Sequence, residues 1–200
     1  MSYTDLIIKL AKEFENKTKN QFVYHLKSPD FRGKYIYPLL KLEEVYPDLY
    51  KKELKKYKGR ESHPELKIDI LNTQWKNCVN FSTLNPYKIF QLEELLGVPG
   101  YKNVSGNEFF RFKITDLVDF DMCLYDDNKS PKKQDAYKKI SINSYKETEF
   151  IPIETAKYFI QSKEKKEYPL LFGNITHLLV KGEIPIDKAK ILTFESCMYE

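Results

Sequence analysis

Strand-length apolar runs that do not alternate strictly with helices are the feature that most restricts how this chain folds. Such runs fall at 21–26, 66–71, 78–82, 108–114, 122–125, 177–181 and 189–194, and helical patterns at 4–17, 42–57, 85–96 and 153–166. A doubly wound parallel sheet needs a crossover helix after nearly every strand, because parallel neighbours cannot be joined by a tight turn. The order here lacks that repeat. It predicts an α+β fold in a single domain over residues 1–200, with a mixed central sheet and flanking helices.

Local chemistry sharpens several elements. Leu6, Ile7, Leu10, Ala11 and Phe14 recur at helical spacing in the first pattern. Pro47 must lie in the first turns of the second helix or break it. Asn85 as N-cap and Pro86 at the first helical position open the third, Ile89, Leu92, Leu95 and Leu96 form its apolar face, and Gly97 ends it. The lysines closing the fourth suit the negative end of its dipole. Residues 58–65, with Gly59, His63 and Pro64, read as an exposed loop, and 126–135 as a flexible one. In 108–114, Phe110, Phe112 and Ile114 alternate with Phe109, Arg111 and Lys113, as on a strand.

Composition limits the function classes. With 33 basic against 29 acidic residues the net charge is +4, short of the footprint of a dedicated nucleic-acid binder. Arginine, the residue best suited to bidentate phosphate and guanine contacts, occurs only at 32, 60 and 111. Cys78, Cys123 and Cys197 form no Cys-x-x-Cys pair and fit a reduced cytoplasm. The sequence has neither a signal-peptide pattern nor an apolar run of bilayer length, so no membrane association is expected.

Three polar stretches interrupt apolar runs, where an unpaired polar group is costly. The first is Tyr24-His25, whose imidazole could bond a ligand hydroxyl or move a proton, or else pair with a backbone carbonyl in the core. The second holds Asn80, Ser82, Thr83 and Asn85 just before a helix N-terminus, a place that offers N–H groups to a pyrophosphate or simply caps the helix. The third is His177 with Glu183, which share a face only if the strand runs extended through Gly182. Glu147 and Glu149 form a carboxylate pair that reads as a solvated edge. His25, His63 and His177 lack metal-ligand spacing, so no metal is expected, and the chain has no Walker loop, Gly-x-Gly-x-x-Gly or Gly-x-Ser-x-Gly.

The order of these stretches resembles the ADP-ribosyltransferase fold, especially bacterial toxin enzymes that modify DNA and the related RNA phosphotransferases. Tyr24-His25 is similar to the early strand whose histidine contacts the ribose of NAD. The stretch from Asn80 to Pro86 is similar to the middle strand that ends in hydroxyl residues and leads to a helix. Leu178-Leu179-Val180 and the turn to Pro185 resemble the late strand that carries the catalytic glutamate, although His177 stands where that glutamate would be. The resemblance covers roughly thirty residues. It implies NAD or another nucleotide as cofactor, with Tyr24, His25, Asn80, Ser82, Thr83 and Asn85 around it and His177 and Glu183 as catalytic candidates. The strands near Tyr24, Phe81 and Leu179 are then expected to adjoin and to bring His25, Ser82 and His177 around one cleft.

Two functions from different classes follow. One is an ADP-ribosyltransferase-like enzyme, or a catalytically altered relative, that binds NAD or a nucleotide. The other is a non-catalytic module that holds a protein or nucleic acid, in a host and mobile-element conflict, through exposed tyrosines and the lysine-rich stretches 51–58 and 163–166.

Overall fold

The computed structural model describes residues 21–97, 107–193 and 196. The helix expected over 4–17 and Cys197 lie outside the described residues. Among the described residues are eleven strands: β1 (Phe22–Lys27), β2 (Tyr35–Ile36), β3 (Lys67–Ile68), β4 (Thr73–Gln74), β5 (Cys78–Ser82), β6 (Glu108–Lys113), β7 (Met122–Tyr125), β8 (Tyr137–Lys139), β9 (His177–Lys181), β10 (Ile184–Pro185) and β11 (Lys190–Thr193). The same residues form four α-helices: α1 (Leu39–Val45), α2 (Pro47–Leu54), α3 (Pro86–Leu96) and α4 (Ile153–Lys165).

Seven strands form the central sheet in the order β11-β6-β1-β5-β9-β7-β8. The fold is α+β, but every neighbouring pair in this sheet is antiparallel, which corrects the expected mixed sheet. β1, β5 and β9, which carry the three polar stretches, are adjacent. β1 and β6 match over six residue pairs, whereas β1 and β5 match only at Tyr24 and Ser82. Beyond that pair the two strands share no further ladder pairing.

Both faces of the sheet are covered. One packs Val23, Phe81, Phe110, Phe112, Leu178 and Val180 against Ile36, Ile184 and Tyr145. The other packs Tyr24, Phe109 and Leu192 against Phe90 of α3 and Phe159 of α4. Farther along this second face, Cys78, Cys123, Tyr125 and Leu179 meet Ile68 and Trp75. Double coverage explains why Phe109 is as buried as Phe110 despite the alternation in sequence.

α3 begins and ends as its residues dictate: Asn85 Oδ1 accepts from the Tyr87 N–H at 2.9 Å, and Gly97 takes a left-handed φ of 60°. Its apolar face differs from the expectation, for Leu95 is 43% exposed while Phe90 and Glu93 are buried. Pro47 breaks the second helical pattern into α1 and α2, because Tyr46 before it is forced out of the helical region, at φ −138° and ψ 76°. The run at 66–71 pairs only at Lys67 and Ile68; Asp69–Leu71 then turns through Asn72, whose left-handed φ of 45° asparagine tolerates. Residues 58–65 are not wholly exposed, since His63 and Pro64 are buried and the His63 ring meets Trp75 edge-on at 4.4 Å. In 126–135, Tyr137 Oη donates to the Pro131 carbonyl at 2.8 Å and the Asp126 N–H to Ala136 O at 2.9 Å.

Candidate functional site

Register aligns one residue from each of the seven central strands into a single file: Lys190, Arg111, Tyr24, Ser82, His177, Tyr125 and Tyr137. Paired residues in a sheet project to the same face, so these polar side chains all emerge on one side. The file therefore unites Tyr24, Ser82 and His177 as their strands' adjacency requires. It excludes His25. That residue is paired with Phe110 and its ring lies 5.6 Å from Phe81, on the opposite face. The expectation that His25, Ser82 and His177 surround one cleft is corrected, because a one-residue step along an extended strand reverses the side chain.

Several of the predicted residues have a structural task. His25 Nδ1 donates to the Asn80 carbonyl at 2.8 Å, filling the place where β1 and β5 part. Burial lowers its pKa, so the ring is neutral at pH 7. His177 is likewise lowered by burial, against the opposing pull of Asp127 and of the Phe81 and Phe172 backbone, and it stacks on Tyr125 at 6.3 Å. The Ser82 hydroxyl bonds Leu84 O and Leu84 N, both at 3.0 Å. Thr83 Oγ1 donates to the Thr176 carbonyl at 2.8 Å and meets Thr148 Oγ1 at 2.6 Å. With the Leu84, Tyr87 and Lys88 N–H groups given to Ser82 and Asn85, the donors expected to meet a pyrophosphate at this junction are already used. Asn80 Oδ1 is buried with no partner among the described residues.

Glu183 stands apart. Gly182 turns at φ 97° and ends the strand, so Glu183 lies past the far end of β9 from His177, an extended reach of roughly 20 Å for six residues. Its nearest cation is Lys41 at 4.0 Å, and the His177–Glu183 pair is not formed.

The carboxylate that does join the file is Glu147. Residues 145–149 cross the end of β1: Tyr145 packs on one face and donates to the Phe22 carbonyl at 2.7 Å, while Glu147 reaches the other. There Glu147 Oε1 accepts from the Tyr24 hydroxyl at 2.9 Å and Oε2 from the Phe22 N–H at 3.3 Å. The Thr148 N–H holds the strap to Thr83 O at 2.8 Å, and Lys88 Nζ donates to the Glu149 carbonyl. Burial pushes the Glu147 carboxyl up to about 7, against the Tyr24 and Phe22 hydrogen bonds and the nearby Lys88 and Arg111 charges. Burial also lowers the Lys88 ammonium and, with Glu147 beside it, raises the Tyr24 phenol. Arg111 is steadied by the Phe22 ring, 4.1 Å below its guanidinium.

A carboxyl balanced between its two forms at neutral pH, with a phenol on one oxygen and an amide on the other, is arranged to accept or give a proton. In the sequence Glu147 and Glu149 look alike; Glu149 is exposed, and Glu147 is set apart only by partners 123 and 125 residues away. No local pattern carries that signal. Among the described residues no group of three or more His, Cys, Asp or Glu side chains is placed to hold a metal ion, and no helix is long and apolar enough to cross a membrane. No family model, curated protein or solved structure matches the chain.

Proposed function

We propose that the chain is a nucleotide-binding enzyme of ADP-ribosyltransferase type, with NAD as the first ligand to test and Glu147 as its working carboxyl. The observation that carries this reading is the Tyr24–Glu147 hydrogen bond in the polar file, with the carboxyl held near neutrality. Cleavage of a nicotinamide–ribose bond builds positive charge on the sugar, which a nearby carboxylate stabilises, and a poised carboxyl can also take a proton from the acceptor. Glu147 takes the role first given to Glu183. Arg111, with Lys113 and Lys190 beside it on β6 and β11, supplies positive charge for the phosphates on the same face.

The test is calorimetric titration of NAD into the wild type, Arg111→Gln and Glu147→Gln at pH 7. Saturable binding, weakened about tenfold in Arg111→Gln and retained in Glu147→Gln with loss of NAD consumption, supports the reading. No saturable binding at about 1 mM NAD contradicts it.

A non-catalytic module is favoured instead by one fact: desolvation lowers the pKa of both His25 and His177, and the His25 ring is already tied to the Asn80 carbonyl. In that reading the exposed Lys51, Lys55, Lys56 and Lys58 meet nucleic acid. Binding would then fall steeply with salt and weaken on charge reversal of Lys55 and Lys56, whereas salt-independent binding would indicate a protein partner.

A further inference from the structure

The segment that carries Glu147 is firmly fixed at its start and lightly held after it. Tyr145 is 1% exposed and belongs to the core of Val23 and Phe112. Residues 146–154 are all half-buried or exposed, and only Ile151 among them leans on the core between α3 and α4. Against the sheet the segment makes one isolated parallel bridge, Leu84 with Thr148, rather than a ladder. Few buried apolar contacts and few backbone hydrogen bonds mark a segment that opens locally with little free energy.

Its fastenings all lie at the Glu147 centre or on its border. The Glu147 carboxyl accepts from the Phe22 N–H and the Tyr24 hydroxyl, the Thr148 N–H donates to Thr83 O at 2.8 Å, and Lys88 Nζ donates to Glu149 O. The Thr148 and Thr83 hydroxyls meet at 2.6 Å. Thr83 is a fixed post, because it is 1% exposed and its hydroxyl also donates to the Thr176 carbonyl. Thr148 is the half that can move. In this arrangement both oxygens of the working carboxyl are engaged by β1 itself.

We propose that residues 146–151 form an autoinhibitory strap, which lifts between Tyr145 and Pro152 to free the Glu147 carboxyl and admit the ribose hydroxyls of a nucleotide above Tyr24 and Arg111. What lies beneath the strap rests on the NAD reading; the motion rests on the hydrogen bonds alone. A ligand that binds only the lifted form has its apparent affinity reduced by the closed fraction, so loosening the strap tightens binding by the factor that it adds to opening.

The experiment uses Thr148→Val, which removes one hydroxyl contact and leaves the Thr83 hydroxyl on Thr176, with Thr148→Ser as the variant that keeps the contact. Native-state amide exchange of the full chain at pH 7, read by NMR, follows the Phe22 and Thr148 amides, which the strap protects. The Thr83 and Lys181 amides, bonded to Thr176 and Asp121 outside the strap, serve as controls. In the wild type the strap amides should exchange faster than the controls. In Thr148→Val both should speed up together by about three- to tenfold, with the controls and Thr148→Ser unchanged, and NAD should bind more tightly by the same factor in calorimetry. The proposal is overturned if the strap amides exchange no faster than the controls in the wild type, if Thr148→Val leaves them unchanged or speeds only one, or if NAD binds Thr148→Val no more tightly than it binds the wild type. Should both amides respond while neither protein binds NAD, the nucleotide reading fails and the lifting of the strap stands.

Discussion

The phenol of Tyr24 donates to Glu147 Oε1 across 2.9 Å, joining a residue of the central sheet to a strap 123 positions later. That bond favours the ionised carboxylate, while burial favours the acid. Tyr24→Phe removes the favourable part only. The Glu147 carboxyl should then titrate above its present value of about 7, and at pH 8 the protein should lose roughly 1–3 kcal/mol, measured by urea unfolding.

Glu147 also sets a pH dependence whose sign is fixed. Its folded pKa of about 7 lies above the ordinary 4.5, so the folded state holds the proton more tightly and stability falls as pH rises from 4.5 through 7. Glu147→Gln removes that dependence. The variant should be more stable than the wild type at pH 8, by on the order of 3 kcal/mol, and nearly equal to it below pH 4.5. A constant difference across the range would show that the carboxyl does not titrate as described.

The histidines act in the opposite direction. His63, lowered by burial and by Arg60 to about 4, carries a buried Nε2 with no partner among the described residues. The unfolded chain takes up its proton first, so this contribution is complete above pH 6.5 and is lost as pH falls toward 4. His63→Phe keeps an aromatic ring on Trp75 and should flatten the acid limb of the stability curve between those values without loss at pH 7. Chemical-denaturation midpoints at half-unit pH intervals check it.

Cys78 and Cys123 are both pushed up to about 12 by burial. Since the thiolate is the reactive form, neither should be alkylated by iodoacetamide at pH 8 in the native protein, and both should be after unfolding, as read by peptide mass spectrometry.

Much of the scaffold is legible in the sequence because its signals are local. Asn85-Pro86 and Gly97 bound α3 through their own backbone chemistry, and Pro47 divides α1 from α2 by the same means. The adjacency of β1, β5 and β9 also agrees with the expectation. What sequence could not supply is long-range register. His25 and Tyr24 are neighbours in the chain, yet only Tyr24 shares a face with Ser82 and His177. Glu147 and Glu149 look alike until Phe22 and Tyr24 enclose one of them. Glu183 shares a face with His177 only if the strand runs extended through Gly182, and the Gly182 φ of 97° ends the strand there.

The most direct measurement is the titration of the Glu147 side-chain carboxyl by carbon-detected NMR, assigned by comparison with Glu147→Gln. A midpoint near 7, moving upward in Tyr24→Phe, is the result that the Tyr24–Glu147 centre predicts. A midpoint near 4.5, unchanged in Tyr24→Phe, would mean an ordinary solvated carboxylate and would contradict the central claim.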